Sequence, residues 1–137
     1  MMTYKEKKRY LEQYVYSKHR LIGLNNELEE WQAIATRTTQ NLKQVMVANN
    51  MPGKRVEDCA IRLAKIEEKL LSEIEKNELC LQHVQDTIAS VKDNRRRELL
   101  ELKYIYDLPV WKIALEWNKS DRDIYYILRT TINSIKI

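Results

Sequence analysis

The sequence predicts an all-α protein in which a long, coiled-coil-like antiparallel helical hairpin is followed by a C-terminal helix-turn-helix domain. The chain of 137 residues contains only two glycines and two prolines, fewer turn residues than a sheet protein needs. Apolar residues recur at coiled-coil spacing through the first two thirds of the chain, and two short amphipathic segments meet at a tight turn near its end. We expect the hairpin to comprise residues 1–93 and the helix-turn-helix domain residues 94–137.

A first long helix is predicted over residues 10–45, where apolar positions alternate by steps of four and three residues. Such a seam, sustained over about five heptads, is typical of a coiled coil. The small residues in it and the bulky Trp31 favour an irregular helix pair over a uniform two-stranded zipper. The seam comprises Tyr10, Tyr14, Ser17, Leu21, Leu24, Leu28, Trp31, Ala35, Thr38, Leu42 and Val45.

A break is predicted at residues 49–53, which combine Asn, Pro and Gly. A second amphipathic helix should run over residues 56–91, with an apolar stripe that shifts by one position near Ile74. Two long helices joined by a short loop pack antiparallel, and a turn centred at residues 51 and 52 pairs positions whose numbers add to about 103. This register predicts that Lys5, Lys7, Lys8 and Arg9 return beside Arg95, Arg96 and Arg97.

The first helix of the helix-turn-helix is predicted over residues 110–117. Val110, Ile113, Ala114 and Trp117 share one face of it. Pro109 suits the first turn, where its missing N–H would have no partner in the helix.

Asn118 is expected to end this helix, because Asn adopts the left-handed conformation more readily than other non-glycine residues. Ser120 is a good N-cap for the next helix, and Asp121 and Asp123 fall in the first turn, where the helix dipole favours negative charge. The apolar residues of that helix recur at helical spacing at Ile124, Ile127, Leu128, Thr131, Ile132 and Ile135.

This part of the chain resembles region 4 of bacterial sigma factors. The resemblance lies in Arg97-Glu-Leu-Leu-Glu-Leu-Lys-Tyr-Ile105, Leu108, Trp111-Lys-Ile-Ala114 and Ser120-Asp-Arg-Asp-Ile-Tyr125. The Ser-Asp-Arg start is also similar to the RinA and ArpU class of small phage transcriptional regulators, whose helix-turn-helix lies behind a helical region. Two positions depart from these patterns: Asn118 replaces the usual glycine of the turn, and Asp123 stands where Thr or Ser is common.

The second helix is therefore expected to act as a recognition helix for double-stranded DNA. Its polar face would contact the groove, with Asp123 suited to a cytosine amino group. A packing frame is expected from Ala114, Trp117, Ile124 and Ile127. We assign groove contacts to Arg122, Tyr125, Tyr126 and Arg129, and phosphate contacts to Lys119, Ser120, Arg95, Arg96 and Arg97.

The distribution of charge is compatible with this assignment. The net charge is +4; residues 92–137 hold ten Lys and Arg against seven Asp and Glu, and residues 1–20 hold six against two. Basic residues therefore gather at both ends of the chain, where they could form one phosphate-binding surface. Separate solvated helix ends would produce the same pattern.

Other classes of function are not indicated by the sequence. No apolar run is long enough to span a bilayer and no signal-peptide pattern is present, so we expect a cytoplasmic protein of a bacterial host cell without a membrane partner. Cys59 and Cys80 are isolated and expected to be reduced. We expect no enzyme activity, no cofactor and no small-molecule substrate. His19, Cys80 and His83 could approach one another, but a fourth ligand is missing and no metal site is expected.

The sequence thus predicts a sequence-specific DNA-binding transcription regulator of phage or prophage origin. The family resemblance implies activation of late phage genes, and recognition of two half-sites implies a homodimer. The alternatives are a sigma-like protein that also binds RNA polymerase, a phage DNA-packaging recognition subunit, and a coiled-coil protein-interaction module. Two acids in the first turn of the recognition helix favour the last of these, because carboxylates repel phosphate.

Overall fold

A computed structural model describes the backbone of residues 2–45 and 53–137 and the side chains of residues 2–37 and 56–137. The described residues form helices and no strand, which confirms the all-α prediction. Apart from Gly53, the predicted break at residues 49–53 lies outside the described residues, and so do the side chains of Thr38, Leu42 and Val45. The helices are α1 (Tyr4–Val45), α2 (Gly53–Ala89), α3 (Asn94–Tyr104), α4 (Val110–Glu116) and α5 (Asp121–Ser134).

Helix α1 begins earlier than the heptad pattern predicted, because a capping box stabilises its start. The Thr3 hydroxyl accepts from the Glu6 amide at 3.3 Å, and the Glu6 carboxylate accepts from the Thr3 amide at 3.4 Å. Two amide donors near the helix start are thereby satisfied reciprocally. The first basic residues of the chain consequently belong to a regular helix.

The chain divides into two compact units, and the first comprises residues 1–18 and 76–137. Its core combines Leu11 of α1 and Val84 and Ile88 of α2 with the apolar faces of the three short helices. The predicted domain boundary between residues 93 and 94 coincides with the start of α3, but it does not divide this core. The residues contributed by the short helices and the last turn are Leu99, Leu100, Tyr104, Val110, Ile113, Ala114, Ile124, Leu128, Ile132 and Ile135.

The second unit, residues 19–75, contains an antiparallel pair formed by the remaining parts of α1 and α2. Arg20 pairs with Glu73, and the guanidinium of Arg62 lies 4.8 Å from the ring centroid of Trp31. The predicted seam residues from Leu21 to Ala35 are half-buried. This unit is therefore a two-helix pair with a narrow seam.

The predicted register of the hairpin is wrong by seven to ten positions. In the first unit, Ser17 faces Asn77 and Gln13 faces His83; in the second, Arg20 faces Glu73. The numbers of facing residues add to between 93 and 96 instead of 103. Residues 5–9 therefore do not return beside Arg95, Arg96 and Arg97. The prediction centred the turn at residues 51 and 52, but α2 already begins at Gly53.

The predicted place of Ile74 in the apolar stripe is also wrong. Ile74 is 38% exposed, whereas Glu73 is only 8% exposed. The buried residues Cys59, Ile66 and Glu73 keep a seven-residue spacing, and the Arg20 guanidinium, 2.8 Å from Glu73, compensates the charge on the carboxylate. From Cys59 to Glu73 the seam is thus regular, with a polar residue in one of its positions.

Candidate nucleic-acid interface

The turn between α4 and α5 has the geometry that the sequence predicted. Asn118 adopts a φ of 53°, and its amide donates to the carbonyl of Leu115 at 3.3 Å. The next amide, of Lys119, donates to the carbonyl of Ala114 at 2.9 Å. These two bonds form a Schellman motif, which satisfies carbonyls that the end of a helix leaves without partners. The left-handed residue thus reverses the chain within a few positions.

Helix α5 starts at its predicted cap. The Ser120 hydroxyl accepts from the Asp123 amide at 3.1 Å, and Ser120 itself is extended. Pro109 is the residue immediately before α4 and not its first helical residue, with a φ of −68°. Both helices therefore begin where local sequence chemistry fixes them.

The packing frame between α4 and α5 agrees with the prediction in its centre. Ala114 is 3% exposed and Ile124 is fully buried, while Trp117 and Ile127 are half-buried against the same core. The small side chain of Ala114 lets the two helices approach closely, as a helix-turn-helix requires. Burial of one face of α5 fixes which residues point to solvent.

The opposite face of α5 carries most of the predicted groove contacts. Arg122, Tyr126 and Arg129 follow one another at steps of four and three residues and are all exposed. Tyr125 is 60% exposed on the flank of this face, and Asp123 is exposed on the other side. We call Arg122, Tyr126 and Arg129 the recognition face.

Arg95 lies beside the turn, in a contact that the sequence did not reveal. Its guanidinium carbon is 3.8 Å from the centroid of the Trp117 ring, and one nitrogen lies 3.4 Å from the Glu98 carboxylate. A stacked arginine keeps its edge available for hydrogen bonds while its plane is held by the ring. The contact holds Arg95, one of the predicted phosphate-binding residues, against the C-terminal end of α4.

Arg97, which the sequence assigned to a phosphate contact, forms hydrogen bonds within the chain. It donates to the carbonyls of Val91 at 3.0 Å and Lys92 at 3.3 Å, and to the Asn94 side chain at 3.2 Å. These bonds hold the connection between α2 and α3. Arg96, on the same helix turn, is half-buried and lines a separate cavity with Lys92 and Lys136. The three arginines therefore have different surroundings, although they are consecutive in sequence.

Lys119 and Ser120 lie at the start of the recognition helix. Both are exposed, but the Ser120 hydroxyl oxygen already accepts the capping bond from Asp123. The hydroxyl hydrogen still has a direction in which to donate to a phosphate. Lys119 presents its ammonium group next to the N-terminal end of α5.

The N-terminal turns of α1 contact the C-terminal helices directly. The Tyr4 ring lies 5.7 Å from the guanidinium of Arg129, and the Lys7 ammonium donates to the Asn133 carbonyl at 3.1 Å. Lys18 donates to the Ile105 carbonyl at the end of α3, at 2.9 Å. The two ends of the chain therefore meet. The N-terminal lysines bind backbone carbonyls near the ends of α3 and α5, and not the three arginines beside which Lys7 was predicted to lie.

Two exposed apolar residues of α4 were not singled out from the sequence. Trp111 is 58% exposed and Leu115 is 70% exposed, one turn apart on the same face. They lie off the buried stripe of Val110, Ile113 and Ala114, which is the signal that could have identified them. Tyr106, before α4, is 65% exposed as well.

Two ionisable side chains of the first unit have contrasting surroundings, since Tyr104 is buried and His83 is exposed. Burial raises the pKa of the Tyr104 phenol, with smaller contributions from Tyr4 and Glu12. His83 stacks with Tyr10 at 6.4 Å between ring centroids and lies 3.4 Å from the Gln13 amide oxygen. In the part of the chain that the structure describes, no three His, Cys, Asp or Glu side chains are grouped to hold a metal ion.

Comparison with known proteins leaves the site to be interpreted from its own geometry. No protein-family model, curated protein or solved structure matches this chain. Among the helices that the structure describes, none combines the length and the apolar character needed to cross a membrane.

Proposed function

We propose that this chain is a sequence-specific, double-stranded DNA-binding transcription regulator. The observation that supports this most directly is the recognition face of Arg122, Tyr126 and Arg129, exposed on a helix whose other face is buried against α4. An α-helix fits the major groove, and a protruding arginine can bind guanine through two hydrogen bonds.

The contacts around the recognition face suit a DNA backbone. Lys119 at the start of α5 and Arg95 on Trp117 offer cations beside the turn, within reach of phosphates that flank the groove. Asp121 and Asp123 oppose phosphate binding but stabilise the first turn of α5 through the helix dipole. Asp123 suits a cytosine amino group, which would convert this repulsion into sequence preference.

The biological setting of the proposal comes from the resemblance to small phage regulators. On that basis the regulator belongs to a phage or prophage, activates late genes and acts in the cytoplasm of the bacterial host. A single helix-turn-helix reads few bases, so we propose a homodimer that binds two half-sites. Contact with RNA polymerase or assembly in a DNA-packaging ring would use the same helices.

Duplex binding should depend on the two arginines of the recognition face. Selection from random and phage genomic fragments yields the site, and titration across a salt series measures the affinity. Arg122→Ala with Arg129→Ala should weaken specific binding by about 10- to 100-fold per arginine and flatten the sequence preference. Affinity of the unmodified protein should fall steeply with salt, because cations released from phosphates drive binding.

A matched control removes the same charge elsewhere. Lys65→Ala with Lys69→Ala on α2 also lowers the net charge by two, at exposed positions of the second unit. This variant should keep the sequence preference. Equal losses in the two variants, or no duplex binding at low salt, would contradict the proposal.

A protein-interaction module is the second candidate, and the exposed pair of Trp111 and Leu115 favours it. Apolar side chains exposed one turn apart are typical of a helix that packs on a partner. Trp111→Ala with Leu115→Ala should then abolish partner capture, including capture of RNA polymerase, and leave duplex affinity unchanged. A loss of duplex affinity in this variant would assign α4 to the DNA contact.

A further inference from the structure

A cavity of about 670 Å³ lies between the connection that joins α2 to α3 and the C-terminal end of α5. Its volume is in the range of small-molecule sites and exceeds what a single ordered water needs. It belongs entirely to the first unit. The polar residues that line it are Ser90, Lys92, Asp93, Arg96, Ser134 and Lys136.

The charged side chains of this cavity are unbalanced. Lys92, Arg96 and Lys136 face a single carboxylate, that of Asp93. One oxygen of Asp93 is committed to the cap of α3, where it accepts from the amides of Arg95 at 2.9 Å and Arg96 at 3.1 Å. The two lining hydroxyls donate elsewhere, Ser90 to Thr87 and Ser134 to Thr131. The cations therefore dominate what the cavity can bind.

The neighbouring basic residues Arg97 and Lys7 are hydrogen-bonded within the chain, unlike the three cations of the cavity. Arg97 is held by two carbonyls and one amide oxygen, and Lys7 donates to the last turn of α5 at Asn133. Lys92, Arg96 and Lys136 form no salt bridge or side-chain hydrogen bond with any described residue. The hydrogen bonds that hold the chain near this cavity are formed by Arg97, Lys7 and Asp93. The three cations remain available to a ligand.

We propose that this cavity binds a phosphate-bearing anion through Lys92, Arg96 and Lys136. Arginine and lysine side chains that converge on a concave site bind phosphate oxygens with charge-assisted hydrogen bonds. The site lies at the opposite end of α5 from Ser120, about 20 Å along a helix of 14 residues. It is therefore separate from the start of the recognition face, and the anion is either a free phosphorylated small molecule or a phosphate of the DNA backbone.

The first test uses inorganic pyrophosphate and the full chain. The melting temperature is measured against pyrophosphate concentration, with sodium chloride at matched ionic strength as reference. We expect a rise of about 5 °C at ten times the dissociation constant, and a further increase with the logarithm of the pyrophosphate concentration above it. The triple variant Lys92→Gln, Arg96→Gln, Lys136→Gln should lose this rise, whereas Lys65→Gln, Lys69→Gln, Lys76→Gln, which removes the same charge from exposed positions of α2, should keep it.

A second measurement does not depend on the folding of the variants. Backbone amide chemical shifts of the unmodified protein are followed during the pyrophosphate titration by nuclear magnetic resonance. Saturable changes should concentrate at residues 90–96 and 134–136. Changes spread over all basic surfaces, or a melting rise no greater than with sodium chloride, would overturn the proposal.

Duplex titration then separates the two sources of the anion. If the triple variant binds duplex at least 10-fold more weakly and the slope of log affinity against log salt becomes shallower by about two to three units, the ligand is the DNA backbone. If duplex affinity is unchanged while the pyrophosphate effect is lost, the ligand is a free phosphorylated molecule. A protein that binds no duplex but shows the pyrophosphate-dependent rise in melting temperature and the localised chemical-shift changes would refute the regulator function and leave this site standing.

Discussion

The two units of this protein use the same two long helices to build very different interiors. In the first unit, Leu11, Val84 and Ile88 are at most 1% exposed, because α3, α4 and α5 complete a core around them. In the second unit, only Cys59, Ile66 and Glu73 are buried among the residues whose side chains are described. A heptad seam alone leaves most of its residues half-buried, and a larger closed core requires the additional layer of short helices.

The largest expected effect is on the free energy of unfolding, when a leucine is replaced by alanine in each of the two units. Leu11→Ala in the first unit should lower the free energy of unfolding by about 3 kcal/mol, because it leaves a cavity in a closed core. Leu28→Ala, at a half-buried seam position of the second unit, should cost about 1 kcal/mol. Urea unfolding of both variants, followed by circular dichroism, measures the difference. Equal losses would mean that the first unit has no deeper core.

Position 11 also shows what the sequence could and could not predict. The heptad seam passes through Tyr10 and Tyr14, so Leu11 looked like a residue outside the interface. Its burial depends on helices α3, α4 and α5. Their contact with α1 cannot be predicted from the local sequence pattern around Leu11. Asn118 and Ser120 were predicted correctly because turn and cap chemistry depend on a few neighbouring residues.

Within the candidate site, the same distinction applies to the basic residues. The exposed arginines of α5 followed from helical spacing, since the buried stripe fixes the opposite face. Three consecutive arginines in α3 looked alike, yet one stacks on Trp117, one lines a cavity and one holds a loop. Their separate roles depend on which carbonyls and rings lie nearby after folding, and the sequence does not encode this locally.

A smaller effect is expected from the polar position in the seam of the second unit. Arg20→Gln should lower the free energy of unfolding by about 1 kcal/mol, since it removes the cation beside the buried carboxylate of Glu73. Raising the salt concentration should reduce this cost, because the Arg20 side chain is 55% exposed. The control Arg37→Gln, at an exposed position of the same helix, should have little effect at any salt.

The cost of Leu11→Ala should not change with moderate salt in the same way, because no charge is involved. Urea unfolding at low and high salt therefore tests whether the two units are stabilised by different forces. A salt-independent loss in Arg20→Gln would show that the packing of the arginine stem, and not its charge, is what matters.

The last effect appears only at alkaline pH and concerns the tyrosines of the first unit, in which all eight tyrosines of the chain lie. Burial raises the pKa of Tyr104 above its ordinary value near 10. The stabilisation linked to this shift is present in full below pH 10 and is lost as the pH rises further, by up to about 1.4 kcal/mol per pH unit. Above pH 10, unfolding of Tyr104→Phe should depend less on pH than that of the unmodified protein.

Chemical denaturation at pH 8, 9.5 and 11 measures this difference, with Tyr106→Phe as the control. Tyr106 is 65% exposed, so its substitution should leave the pH dependence unchanged. Identical pH dependence in the Tyr104 variant and the unmodified protein would place its phenol in contact with water.

The bond between Lys7 and Asn133 joins positions that are 126 residues apart. During synthesis, the segment that precedes Lys18 leaves the ribosome first but cannot complete its contacts until α5 has followed. Residues 19–75 are continuous in sequence and can pair as soon as they emerge. The nascent chain therefore carries the amphipathic first turns of α1 without their final partners until α5 has been made.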